Sequence, residues 1–127
     1  MKRVVLAIRN RLVLEAVTNV LKRAGFFVEK SSSQEPKCIL TLTNALAATT
    51  LVMDVTRSGD GTFDMRMDTA RKVRRQNSEI KIALLCDNVS DESSAYKVKC
   101  AKEDGSIDAF FYESVPSDYL ADAIDAL

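Results

Sequence analysis

Histidine and tryptophan are both absent from this sequence. Without an imidazole there can be no Ser-His or Cys-His dyad, and a zinc site loses its commonest nitrogen ligand. Cysteine is scarce: Cys38, Cys86 and Cys100 form neither an even set nor a C-x-x-C pair, so reduced, structural thiols are expected. Gly59 and Gly61 do not belong to a G-x-G-x-x-G and open no phosphate loop; they read as a turn. Neither sign of charge is in excess, with 18 Lys plus Arg against 18 Asp plus Glu. Nothing global therefore draws the chain to nucleic acid or to a membrane. No apolar run approaches the roughly 20 residues that span a bilayer. Met1-Lys2-Arg3 is basic, but the apolar run 4–8 is too short for a signal segment and Arg9 interrupts it. The cytoplasm is the expected location.

What is present is the ordinary balance of a globular domain. The 127 residues are 46% apolar and 28% charged, enough for one core and too few for two domains. Residues 4–8 are a continuous apolar run and read as a buried strand. Residues 11–24 follow at helical spacing, with Asn10 as N-cap and Gly25 as the left-handed residue that ends the helix. The same alternation continues: strand 26–28, polar turn 31–36, helix 38–48, strand 51–55, loop 57–61, helix 64–76. It ends with strand 80–85, helix 94–104, strand 109–112 and helix 117–127, the last capped by Ser117. Met67, Ala70 and Val73 are expected inward, and Arg66, Arg71, Lys72, Arg74 and Arg75 largely outward as a solvated face. Asp118, Asp122 and Asp125 read as another solvated face. No repeat, linker or low-complexity tract interrupts the chain. Five strands alternating with five helices predict a doubly wound parallel sheet with right-handed crossovers. The last helix runs to the end of the sequence, which suggests the N-terminal module of a longer protein.

The run Leu51-Val52-Met53 ends on a carboxylate, Asp54. In an open parallel sheet, chemistry gathers outside the carboxyl ends of the strands, so Asp54 is placed for it. With the strand ends aligned, the whole chain resembles a response-regulator receiver domain, a flavodoxin-like fold that takes a phosphoryl group on an aspartate. In that family an acidic pair ends the first strand, the acceptor Asp the third, and a Thr or Ser the fourth. A Lys followed by Pro ends the fifth, with an aromatic switch residue three positions before the Lys. The spacing from Asn10 to Asp54 matches, and Leu120 stands seven past Glu113 as the family's last-helix leucine stands past its lysine. Asp54 keeps the acceptor position. The acidic pair position holds Arg9 and Asn10, the hydroxyl position Cys86, the lysine position Glu113, and the switch position Phe110. Ser114 follows Glu113 where the family has Pro, and Pro116 is displaced.

These departures have chemical consequences. The family's Mg²⁺ needs carboxylate oxygens, and Arg9 puts a cation where two of them would stand. Mg²⁺ is therefore possible but disfavoured. Arg9 can pair with Asp54 or with Glu113, leaving a structural salt bridge in place of an old active site. Alternatively Asp54, Asp87 and Glu113 are metal candidates of a rearranged live site in which Arg9 does the lysine's work. Asp87 reads equally as a helix N-cap. Cys86 lacks the hydroxyl that contacts a phosphoryl oxygen and reads as packing, as does Phe110. The resemblance thus implies a non-enzymatic receiver-like module over residues 1–127, with a degenerate site. It would bind a protein partner, an output domain or a second copy through the fourth helix, fifth strand and last helix, with no nucleic acid or membrane as partner. The alternative is a live receiver phosphorylated on Asp54 by a histidine kinase. A flavodoxin-like enzyme or nucleotide binder is a third class, opposed by the missing glycine loop, histidine and tryptophan.

Overall fold

The computed structural model describes residues 2–87 and 89–127. Strands β1 (Arg3–Ala7), β2 (Phe27–Lys30), β3 (Thr50–Asp54), β4 (Lys81–Cys86) and β5 (Ala109–Tyr112) alternate with five helices. These are α1 (Arg11–Arg23), α2 (Pro36–Leu46), α3 (Phe63–Gln76), α4 (Glu92–Glu103) and α5 (Ser117–Asp125). One 3₁₀ turn, Gly59–Gly61, lies between β3 and α3. All strand pairs are parallel, in the order β2-β1-β3-β4-β5. This is the five-stranded flavodoxin-like sheet that the alternation predicts.

The sheet is buried on both faces because successive side chains of a strand point to opposite sides. Val5, Ala7, Leu51, Met53, Ile82, Leu84 and Cys86 pack towards Ile39 of α2, Met67 and Val73 of α3 and Val98 of α4. Val4, Leu6, Val52, Ala83 and Leu85 pack towards Val17 and Leu21 of α1 and Leu120 and Ile124 of α5. Each fully buried Leu or Ile side chain contributes about 1.5–3 kcal/mol against leaving it in water. Every residue of β3 is buried, so the strand that carries Asp54 is the centre of the molecule.

Local chemistry sets the ends of the elements. Asn10 caps α1 as expected, and Gly25 takes φ +94° just past it. Helix α2 begins two residues earlier than the periodicity suggests, because Pro36 occupies its first turn, where a missing N–H costs nothing. It ends at Leu46, with Ala47 in the left-handed region at φ +50°. Strand β2 starts at Phe27 and β4 at Lys81, each one residue later than the apolar runs imply. Helix α5 ends at Asp125 rather than running on, with the Ala126 N–H closing on Asp122 O. The expected cap of α5, Ser117, is its first helical residue, and its side chain lies outside those described. Among the described residues no helix is long and apolar enough to cross a membrane.

Candidate functional site

Asp54 ends β3 beside the carboxyl end of β1, where Ala7 is in register with Met53. Its side chain is 1% exposed and both oxygens are engaged. Oδ2 accepts the backbone N–H groups of Arg9 (3.0 Å) and Asn10 (3.3 Å), the two residues that lead into α1. Asn10 thus has two jobs: its backbone holds Asp54, while its side-chain oxygen accepts from the N–H groups of Leu12 (3.0 Å) and Val13 (3.3 Å). The positive end of α1 adds to the attraction for the carboxylate.

Oδ1 of Asp54 is held by Arg66, whose Nη2 donates to it at 2.9 Å. The Arg66 side chain is fully buried, contrary to the outward placement expected of it. Its Nε donates to the Asp54 carbonyl (2.8 Å), and Nη2 also reaches the Ala7 carbonyl (2.9 Å) and Gln34 Oε1 (2.7 Å). Nη1 has no partner. Burial pushes the pKa of Arg66 down, while the charge and hydrogen bond of Asp54 push it up. An arginine stays cationic through such opposition. The reason for its burial is helical spacing: 66, 70 and 73 lie on one face, and Ala70 and Val73 face the core. That spacing was available in the sequence. Gln34, in the turn before α2, carries no comparable signal.

Arg9 does not pair with Asp54 or Glu113 as expected. Its exposed side chain turns the other way and donates from Nη1 to the Ser58 carbonyl at 2.9 Å. It lies over the 3₁₀ turn, where Gly59 has φ +80° and a Cβ would come within 2.6 Å of Nη1. Gly59 makes room for the guanidinium, and Gly61 for the Thr56 side chain and the Arg9 stem.

The other expected site residues are spread along the same edge. Glu113 is half-buried just after β5, its N–H donating to Cys86 O at 3.0 Å. Burial raises its carboxyl pKa, and the charges of Asp54 and Asp87 raise it further. Asp87 is not a helix cap. Its Oδ1 accepts from the N–H groups of Val89 (2.9 Å) and Ser90 (3.2 Å), and Oδ2 accepts the Ser90 hydroxyl. These bonds hold its pKa below the ordinary range. Asp91 caps α4 instead, accepting from the Ser94 N–H at 3.2 Å. Among the described residues no three Cys, Asp or Glu side chains form a group able to hold a metal ion. Cys86 is buried, with Sγ 3.7 Å from Phe111 O, and burial first and then Glu113 push its thiol up to about 11. Phe110 is half-buried against the α2–α4 layer and meets Tyr112 edge-on at 5.7 Å. Of the basic run in α3, Arg71, Lys72 and Arg75 are exposed as expected. Arg74 is not: it pairs with Asp108 and donates to Ser106 O at 2.9 Å.

Neither a protein-family model nor a curated protein sequence matches the chain. Solved structures do match. The chemotaxis protein CheY4 of Vibrio cholerae superposes with a TM-score of 0.76 at 17% identity, over 99% of this chain and 98% of that one. A CheY-like response regulator receiver domain protein from Methanospirillum hungatei gives 0.75 at 16% identity, over 99% and 92%. The response regulator TrrA of Thermotoga maritima, solved in complex with Mg²⁺ and BeF, gives 0.70 at 17% identity, over 99% and 98%. The fold of this chain is that of the CheY-like response-regulator receiver domains.

Proposed function

We propose that the chain is a receiver-fold signalling module that works through protein contacts and not through a phosphoryl group on Asp54. The observation that carries this reading is the engagement of both Asp54 oxygens, one by the buried Arg66 and the other by the amides of Arg9 and Asn10. A phosphoryl acceptor must present an oxygen to the donor and have a cation beside the transferred group. Here the cation is a guanidinium fixed below the carboxylate. The residues also do not suit Mg²⁺, which takes oxygen ligands in a near-octahedral shell. Arg9 and Asn10 bring no carboxylate, and Asp87 spends both oxygens on its own turn. On this reading the domain is not an enzyme and needs no cofactor.

The surface proposed for a protein partner, an output domain or a second copy is the face of α4, β5 and α5. Tyr119 of α5 is exposed there at 60% and meets Phe111 of β5 edge-on, and exposed tyrosines are favoured anchors of protein interfaces. The proposed setting is the cytoplasm.

The deciding experiment is intact-mass analysis after incubation with acetyl phosphate and Mg²⁺, with Asp54→Asn in parallel. The expected result is no adduct on either protein. A phosphoryl adduct on the wild type that is lost in Asp54→Asn overturns the reading in favour of a live receiver.

A further inference from the structure

We propose that the cleft between the start of α1 and the β2–α2 turn is a binding site for a small phosphate-bearing anion. The cleft has a volume of about 550 Å³ and is lined by Arg9, Arg11, Lys30, Ser31, Ser32 and Gln34. It opens at the carboxyl ends of β1 and β2: the Ser31 N–H still donates to Leu6 O at 2.8 Å, and the chain leaves the sheet immediately afterwards. The switch point of this strand order, where ligands of open α/β sheets gather, lies between β1 and β3, so the cleft adjoins it on the β2 side of β1.

The lining is rich in donors and poor in acceptors. Three cations face a single carboxylate, that of Glu15, which reaches Lys30 Nζ at 3.6 Å. Exposed Arg11 has no acidic partner within 4 Å among the described residues. Arg9 Nη1 is already on Ser58 O and the Ser31 hydroxyl on Ser33 O, so the donors left for a ligand are the Arg11 guanidinium, the Ser32 hydroxyl and the Lys30 ammonium, which it would share with Glu15; an anion with several acceptor oxygens, such as a phosphate, can use all three. No aromatic ring lines the cleft, so the recognised part of the ligand is the phosphate and not a stacked base.

The floor of the cleft leads inward. Gln34 Oε1 is taken by Arg66 Nη2, which leaves the amide NH₂ of the same group as a further donor on the cleft side. The buried Arg66, with Nη1 still unpartnered, therefore stands directly behind the cleft wall. An anion bound by Gln34 would be sensed through Arg66 at Asp54. This proposal does not depend on whether Asp54 is phosphorylated.

The test is a titration followed by amide and side-chain NMR shifts, with inorganic phosphate, glycerol 3-phosphate and AMP each added at constant ionic strength against sodium chloride. The expected result is a saturable shift confined to residues 8–11 and 30–34, including the Gln34 side-chain NH₂. Affinity should fall at least tenfold in Arg11→Gln/Lys30→Gln. Both residues are exposed, so the variant should keep the wild-type melting temperature. Tighter binding of an ester than of inorganic phosphate would identify an organic phosphate, and equal binding would identify the inorganic ion; either supports the site. Shifts that match those with chloride, that fall elsewhere, or that persist unchanged in the double variant overturn it.

Discussion

Arg66 and Asp54 form a pair whose two halves are unequal in what they can lose. Both side chains are out of water, at 0% and 1% exposure. Removing one partner leaves the other as an uncompensated buried charge, which costs about 3–5 kcal/mol, whereas replacing both with apolar groups of similar volume is often neutral. Arg66→Met should therefore lower the urea midpoint by an amount equivalent to about 3–5 kcal/mol at unchanged slope. Arg66→Met combined with Asp54→Leu should recover only part of that loss, because the Arg9 and Asn10 amides and the Ala7 carbonyl are then left without their partners. A single variant as stable as the wild type would show that the pair contributes nothing structural. Glu113 makes a separate prediction with a pH signature. Its folded pKa is raised, first by burial and then by Asp54 and Asp87. The folded state thus holds this proton more tightly than the unfolded chain does, and stability falls as pH rises from the unfolded value through the folded one. Glu113→Gln removes that penalty. It should melt higher than the wild type at pH 7, and the gap should close below the ordinary glutamate range; a gap constant with pH would contradict this.

At the level of elements, Asn10 is where a loop, a helix and the site meet. Its side chain satisfies two of the orphan N–H groups of α1. Asn10→Ala should cost about 0.5–2 kcal/mol, while Asn10→Ser, an equally good cap, should stay within about 0.5 kcal/mol of the wild type in the same denaturation experiment. The cap was legible because it depends only on neighbours in sequence. So were the five strands, whose apolar runs are bounded by Gly25, Asn77 and Gly105, and so was the place of Asp54 at the end of β3. The site was legible in part. Strand ends aligned on paper put the Arg9 side chain at Asp54 or Glu113, whereas only its backbone N–H reaches Asp54. The contact of its guanidinium, Ser58 O, depends on a turn whose path at Gly59 only the folded loop sets. Arg66 was assigned to solvent by its charge, although its spacing from Ala70 and Val73 put it inside. Charge argues for solvent and periodicity for the core, and in the molecule the Asp54 carboxylate lets periodicity win. Gln34 could not be found at all, since a polar residue in a turn has no period to betray its direction.

Across the whole molecule, the contacts of Arg66 tie together parts that are distant in sequence. One side chain of α3 bonds the last carbonyl of β1, the carbonyl and carboxylate that end β3, and the turn before α2. Strand β3 is buried throughout, while only partial burial protects the edge strand β2. Local opening should therefore be graded, with amides of β1, β3 and β4 exchanging only by global unfolding and those of β2 faster. The amides of Arg9 and Asn10 provide a sharper test of the site. They lie beyond the end of β1, outside the sheet ladder, and their acceptor is the Asp54 carboxylate. In native-state hydrogen exchange they should be protected in the wild type far beyond what a loop allows. In Asp54→Ala the two should lose more protection than the central amides of β4, whose exchange follows the fall in global stability. If Arg9 and Asn10 already exchange at loop rates in the wild type, the carboxylate is not held by the start of α1. Asp54 would then have an oxygen to offer to a phosphoryl donor, and the case against an acceptor at this position would lose its main support.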